Sequence, residues 1–390
     1  MSKPRIIAFY LPQYHPTPHN DEWWGKGFTE WTNVAKAKPL FRGHEQPHIP
    51  GELGFYDLRL PEVREAQAEL AKEYGIYGFC YYYYRFEKGK NELELPLNEV
   101  LKSGKPDFPF MICWANESWH KKFWNYDGTC EKQILAEQKY KGTQDYIDFF
   151  YEVLPLFKDK RYITIAGKPA FMVYKPNDFP DVSEFIVLWN NLAKENGLAG
   201  IHFIASATAD YGLVKCNQFE KHQLKDFIKN NTVILDVQKD KEIIMNYGFD
   251  AIALNRFILV SRKQPFIKRA LSKLHRLLFK SPAVFQYEDA VKFLVGGEDA
   301  DDDVYPVVIP NWDHTPRSKY GGIVWHNSTP DIYNQYLTQV LKRVYSKNNE
   351  KQIVFLKAWN EWGEGNYIEP DLKWGRKYLE ATKNALENLI

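Results

Sequence analysis

The chain has no uninterrupted apolar run of the roughly 18 residues needed to span a bilayer, so no transmembrane helix is expected. It has only four cysteines, Cys80, Cys113, Cys130 and Cys216, too widely separated for a C-x-x-C pair or a zinc site, and free thiols are the simplest reading. Cys80 and Cys113 fall in apolar, strand-like runs, which suits a reducing compartment. The ten histidines form no HExxH or other ligand spacing, so neither a metal nor another cofactor is expected. Neither sign of charge dominates: 51 Lys and Arg against 50 Asp and Glu give a formal net charge of +1, which removes the global case for a nucleic-acid partner. The N-terminus enters a strand-like run at Ile6 with no long apolar segment and cleavage site before it, so a cytoplasmic location is expected.

Rings are what the chain has in excess. Aromatic residues make up 16% of it, with 12 Trp, 25 Tyr and 25 Phe, more than core packing usually consumes, and flat ring faces suit pyranoses. Hydrophobic residues at 44% and charged residues at 26% supply a large core and argue against disorder. Barrels of the α/β class run from about 250 residues to about 400 with insertions, so one elaborated domain over residues 1–390 is expected.

Eight apolar runs recur along the chain: Ile6–Tyr10, Tyr77–Tyr84, Phe108–Trp114, Pro169–Tyr174, Ile201–Ala207, Ala251–Leu254, Tyr305–Pro310 and Ile353–Leu356. Helical patterns lie between them. Pro61 opens VREAQAELAKEYG, which closes at Gly75; Ser183–Glu195 ends at Gly197; Ser328, Thr329 and Pro330 open a helix towards Val344; a last helix follows Pro370. Strands apolar almost throughout, alternating with helices, predict an α/β fold of the closed (β/α)8 TIM-barrel type. A doubly wound sheet would more often carry a glycine-rich phosphate loop after its first strand. Here that position holds LPQYHPTPHNDEWWGKGFTEW, the wrong chemistry for phosphate.

In such a barrel the loops after the strands share one face, where active sites gather. The first loop carries Tyr14, His15, Glu30 and Trp31; the third strand ends in Trp114, Asn116 and Glu117; the fifth precedes Asp210 and Tyr211; the seventh leads to Asn311, Trp312, Asp313 and Arg317. The eighth is followed by WNEWGEGNYIEP, where Asn360, Glu361, Trp362 and Glu364 set two carboxyls within one turn. Separated pKa values would make such a pair an acid and a base. Glu117 ends its strand in the same Asn-Glu pairing and is a rival partner for Glu361 across the barrel mouth. Glu30, Tyr14, His15, Trp31 and Asp313 fit two roles, binding substrate hydroxyls or knitting the loops to the barrel as a buried polar network. Tyr81–Tyr84 read as strand core with alternate members reaching the mouth. The run EDADDD at Glu298–Asp303 contains the letters of a DxD motif but reads as a solvated acidic connector. Arg262–Lys280 has no acid and repeats apolar residues at helical spacing, a basic amphipathic insertion within about 258–300. Packing against the barrel or a second subunit is one use of it; a membrane surface or lipid-linked glycan as partner is the other.

Seven stretches also carry a family likeness: FYLPQYHP (Phe9–Pro16), WWGKGFTEW (Trp23–Trp31), YGFCYYYYRF (Tyr77–Phe86), FMICWANESW (Phe110–Trp119), VIPNWDHTPR (Val308–Arg317), WHNSTP (Trp325–Pro330) and KAWNEWGEGNYIEPD (Lys357–Asp371). Together they resemble the WbsX-type polysaccharide-biosynthesis glycosyltransferases and, more distantly, glycoside hydrolase family 99, the endo-acting α-mannosidases and α-mannanases. The resemblance implies a (β/α)8 barrel with its site at the C-terminal face. The Glu-Trp-His-Glu segment of the hydrolases matches Glu361, Trp362, Gly363 and Glu364. By that match Glu361 is the base that takes the proton of a substrate 2-hydroxyl, which closes onto the anomeric carbon. Glu364 is the acid that protonates the leaving oxygen and then the base that activates water or an acceptor. Gly363 stands where the hydrolases have histidine, and Tyr83 and Arg85 where the WbsX-type branch often has His and Trp, so the sugar is not carried across. The resemblance implies a retaining carbohydrate-active enzyme with an oligo- or polysaccharide substrate, serving assembly of a surface polysaccharide such as O-antigen or capsule; with the N-terminus and the basic stretch Arg262–Lys280, a cytoplasmic place, or a peripheral one at the inner membrane, is expected. An endo-α-mannosidase-like hydrolase is the enzymatic alternative, and a non-catalytic glycan-binding scaffold the alternative of another class. A retaining transglycosidase reconciles transfer with the glycosidase-like acid pair.

Overall fold

A computed structural model describes residues 3–124, 130–208, 237–264, 278 and 280–389. The eight expected strands form, with small shifts at their ends: β1 (Arg5–Tyr10), β2 (Ile76–Glu87), β3 (Phe110–Trp114), β4 (Lys168–Val173), β5 (His202–Thr208), β6 (Ala251–Asn255), β7 (Val304–Val308) and β8 (Ile353–Leu356). Each pairs in parallel with the next in chain order. β8 then returns to β1, with Arg5 opposite Ile353 and Ala8 opposite Leu356, which closes a (β/α)8 barrel. The helices read from sequence also form. They are α1 (Pro61–Glu73), which begins with its proline; α3 (Val182–Glu195); α4 (Pro330–Val344), capped by the Thr329 hydroxyl, which accepts from the Ile332 N–H at 3.3 Å; and α5 (Lys377–Glu387); α2 (Thr143–Phe157) forms as well, a helix the sequence reading did not name.

Much of the aromatic excess goes into packing rather than into a sugar site. Trp189 of α3 is fully buried among Phe149, Phe171, Phe185 and Phe203, and its indole N–H donates to the Tyr146 carbonyl at 3.0 Å. Trp114 belongs to the same outer layer. It packs on Phe149, Phe179 and Phe185 and donates to the Arg85 carbonyl at 2.9 Å, so it is a barrel-to-helix contact. Along β2 the two-residue period sends Tyr82 and Tyr84 to the mouth. Tyr83 and Arg85 face the other way, towards α2, where Arg85 pairs with Asp145 at 2.8 Å and Glu152 at 3.2 Å.

Long loops rise from the C-terminal ends of the strands. That after β1 holds two short helices, Pro18–Trp24 and Glu30–Lys36; that after β3 forms a hairpin of Trp119–Trp124 with Cys130–Ala136. Trp312–Asp313 and Ile323–His326, beyond β7, make a small sheet with Ala283–Gln286, which lies between β6 and β7. The acidic run differs from its expected solvated state. Asp299 is buried and pairs with Arg256 at 2.8 Å, while Asp301 and Asp303 hold Lys241 at 2.9 and 2.7 Å. Most of the basic stretch 262–280 lies outside the described residues, as do Asp210 and Tyr211. Among the described residues no helix is long and apolar enough to cross a membrane. Cys80 and Cys113 are buried and unpaired.

Candidate active site

After β8 the chain makes a tight hairpin. Asn360–Glu361 pairs antiparallel with Asn366–Tyr367, and a 3-10 turn, Trp362–Glu364, joins them, closed by Gly365 at φ +52°. Residues three apart eclipse in such a turn, so Glu361 and Glu364 present their carboxyls to one side. The turn is anchored from behind. The Asn360 amide accepts from the Leu11 N–H at 2.8 Å and donates to the Leu11 carbonyl at 3.1 Å. The Tyr14 hydroxyl donates to the Asn360 carbonyl and accepts from the Trp362 N–H at 3.2 Å. Trp362 stacks on Tyr367 with centroids 3.7 Å apart, and Trp31 packs against both Tyr14 and Trp362.

One guanidinium ties the acids together. Arg317 donates from Nε to Glu30 at 2.9 Å, and its Nη1 reaches both Glu361 at 3.2 Å and Glu364 at 2.6 Å. Lys357, at the end of β8, donates to Glu361 at 3.4 Å and lies 4.0 Å from Glu364; His314 is 3.5 Å from Glu364. Burial and the charge of Glu364 push the Glu361 carboxyl up. Burial acts the same way on Glu364, but Arg317, His314 and Lys357 outweigh it and hold that carboxyl well below its ordinary range. The pair therefore keeps its proton more readily on Glu361. Room for this cluster comes from Gly363: a Cβ there would sit 2.0 Å from Glu30 Oε1 and 2.9 Å from Arg317 Nε.

The acids line a cleft of about 880 Å³, walled by Tyr82, Tyr84, Trp119, Tyr174 and Trp312 and running out to Trp24 and Phe28. Of the residues singled out from sequence, Glu30, Asn116, Glu117, Trp312, Arg317, Glu361 and Glu364 line it. Glu117 is at the rim, 46% exposed and 4.0 Å from Lys175, away from Arg317 and the acid pair. Asn116 bonds Lys175 through both ends of its amide and so positions a loop as well as lining the cleft. Tyr14, Trp31, Asn360 and Trp362 sit behind the hairpin as its support, and His15 is buried outside the cleft near Asp57. Asp313 faces away from the acids and is saturated by His44, Gln46 and Thr315. Sequence reasoning missed Lys357, His314 and Tyr174. The available signal was a lysine at the mouth end of an apolar strand, four residues before Glu361, where burial demands a charge partner.

Glu369, two residues past the hairpin, has a structural position. It is buried and accepts from Trp362 Nε1 at 2.7 Å, Tyr56 Oη at 2.9 Å and Gln67 Nε2 at 2.7 Å. Burial pushes its carboxyl up from 4.5 to about 7, against those donors. The native state therefore binds this proton more tightly than the unfolded chain, so the stability it lends is complete below pH 4.5 and is lost as pH rises towards 7. At 1.36 kcal/mol per pH unit, that loss is about 3 kcal/mol. Urea unfolding at pH 5 and pH 8 should show it in the wild type and not in Glu369→Gln; an equal fall in both would disprove the assignment. The amide is tolerated because Gln67 can turn its own amide, accepting from Gln and donating to the Tyr10 hydroxyl it now accepts from.

Residues 6–382 match the family described as Glycosyltransferase WbsX. Two Xanthomonas campestris pv. campestris proteins, of strains B100 and ATCC 33913 and both described as uncharacterized protein WxcX, are each 34% identical over 382 residues, 98% of this chain and 49% of theirs. The chain thus spans about half the length of the curated relatives it matches. A GH99 endo-alpha-mannosidase from Bacteroides thetaiotaomicron has the same fold, with a TM-score of 0.52 at 13% identity over 99% of this chain and 97% of that one. A chain described as a glycoside hydrolase-like protein gives 0.54 at 12% identity, covering 99% and 94%. These structural likenesses carry the (β/α)8 architecture alone. The family match over nearly the whole chain and the 34% relatives carry more: this chain belongs to the WbsX glycosyltransferase family.

Proposed function

We propose that this protein is a retaining glycosyl-transferring enzyme that moves a sugar from a glycoside donor to a glycan acceptor during assembly of a surface polysaccharide. The observation that carries the reading is the acid pair, Glu361 and Glu364, eclipsed on one turn and joined through Arg317 at the base of an aromatic cleft. One proton shared by the pair suits the chemistry: the ionised acid takes the proton of the substrate 2-hydroxyl, whose oxygen then attacks the anomeric carbon, and the protonated acid delivers its proton to the departing oxygen. The acceptor hydroxyl then attacks the anomeric carbon of the resulting 1,2-anhydro sugar: its proton passes to the acid that has just become a base, the C1–O2 bond breaks, and the other carboxyl returns its proton to O2, so net configuration is retained and the pair again holds one proton.

A glycoside donor suits this cleft better than a nucleotide diphosphate. Arg317, Lys357 and Lys175 each face a carboxylate, so their charge is already answered within the protein. Hydrolysis is the second reading, favoured by the glycosidase-like fold and by the openness of the cleft to water. Product analysis decides. The full chain would be offered α-mannosyl oligosaccharides, nucleotide sugars and a lipid-linked glycan acceptor in parallel. Elongated, anomerically retained products from a glycoside donor are expected. Free reducing sugar alone would support hydrolysis, and transfer solely from nucleotide sugars would overturn the proposal.

A further inference from the structure

Behind the catalytic hairpin lies a second cavity of about 220 Å³, and Trp312 forms part of both its wall and that of the cleft. We propose that this cavity is an accessory site for one neutral pyranose ring of the glycan, held outside the catalytic cleft. The inference rests on the carbohydrate reading above and extends it to a place in the fold that the acid pair does not use.

Size comes first. A dry cavity of about 150 Å³ takes up benzene, so about 220 Å³ accommodates a single substituted six-membered ring and little more. The chemistry of the walls then selects among such rings. Trp312, Trp325 and Trp374 supply aromatic surface, as a pyranose requires. The charged groups there are already answered. Asp313 is consumed by His44, Gln46 and Thr315; Asp371 accepts from the Tyr367 hydroxyl at 2.8 Å and from the Trp374 N–H; Lys373 pairs with Glu45. What remains is neutral and able to hydrogen-bond. His48 uses Nδ1 on the Tyr367 hydroxyl at 2.9 Å, which leaves Nε2 uncommitted, and the His326 ring meets Phe41 edge-on without a side-chain hydrogen bond. Burial pushes both imidazoles down, so both stay uncharged at neutral pH and can accept from or donate to hydroxyls. A metal is not what these side chains suit: among the described residues no group of three His, Cys, Asp or Glu is placed to hold one. An anion would find no free cation, and a flat apolar ring would strand the two imidazoles.

The cavity also adjoins the catalytic turn. Gly365 packs so closely on Asp313 that a Cβ there would lie 2.7 Å from the aspartate Cβ, and Asp313 is bonded to His44 in the cavity wall. A ring held here is therefore a neighbouring unit of the same glycan, passing over Trp312.

Calorimetric titration of the full chain with a monosaccharide glycoside and with a longer neutral oligosaccharide tests this, in the wild type, Trp374→Ala and the double variant His48→Ala/His326→Ala. The expected result is about tenfold weaker binding of the longer oligosaccharide by both variants, with turnover of the shortest substrate unchanged. Retained thermal unfolding midpoints show that the variants are folded. A crystal of the wild type with the longer oligosaccharide should show a ring between Trp374 and His326. Equal binding by all three proteins, or a ring bound only in the catalytic cleft, would overturn the accessory site while leaving the carbohydrate reading intact. Failure of the wild type to bind or turn over any glycan would overturn both.

Discussion

Glu361→Gln should cut turnover of every substrate by about 10²–10⁴-fold, whereas Glu364→Gln should spare donors whose leaving group departs without a proton. The resemblance of this segment to the hydrolase motif implies Glu361 as the base and Glu364 as the acid, and an activated aryl glycoside supplies a leaving group that needs no acid. The structure presents the opposite charge state. Arg317 sits closer to Glu364, at 2.6 Å, than to Glu361, at 3.2 Å, and keeps Glu364 ionised while Glu361 is pushed up. For the motif's roles to hold, a bound sugar must draw Arg317 away from Glu364 so that the proton moves there. Turnover of an aryl glycoside and of a natural glycan by both variants measures this directly. If Glu361→Gln is the variant that spares the aryl glycoside, the roles are exchanged and the charge state seen in the structure is the working one.

The architecture was legible because its signals are local. Each strand is an apolar run bounded by turn residues, and several helices carry a start or stop signal, such as Pro61 and Gly75 for α1, Thr329 and Pro330 for α4 and Gly197 after α3, so eight strands could be counted before any contact was known. The acid pair was legible for the same reason: Glu361 and Glu364 are three residues apart. What sequence could not separate is which strand-end residues face the cleft. Tyr14, Trp31, Asn360 and Trp362 share composition with sugar binders, yet they hydrogen-bond and stack behind the hairpin. Trp114 lies at the end of β3 but on its outward face, and Asp313 is turned from the acids by His44 and Gln46, which lie far away in sequence. These placements are long-range, and one chain without partners in view does not encode them at readable spacing. Lys357 shows the converse. Its partner Glu361 is only four residues on, but its burial, which makes it a site residue, comes from the closed barrel beneath.

Gly363→Ala tests the departure from the hydrolase motif, and it should lower turnover by about 10²-fold. No positive φ is required of Gly363, so an alanine backbone fits and the effect is steric. The added methyl would stand 2.0 Å from Glu30 Oε1, and Glu30 has little freedom: it is 2% exposed and bonded to Asn33 at 3.0 Å as well as to Arg317. The carboxylate must swing, Arg317 follows it, and the guanidinium then leaves Glu361 and Glu364 off their working geometry. A misplacement of about 1 Å at reacting groups is worth about 10²-fold in rate. Because Arg317 lowers both Glu364 and Glu361, its retreat should raise the pKa of both carboxyls and move the pH–rate profile upward. A merely destabilised protein would not show that shift. Gly365→Ala is the contrasting control: its φ of +52° and its contact with Asp313 make it a stability variant, expected to lower the unfolding midpoint first. Wild-type turnover and an unmoved profile in Gly363→Ala would mean that the Glu30–Arg317 pair does not position the acids. A histidine at this position, as in the hydrolase motif, requires Glu30 and Arg317 to stand elsewhere, so the glycine and the ion pair belong together as one departure from that motif.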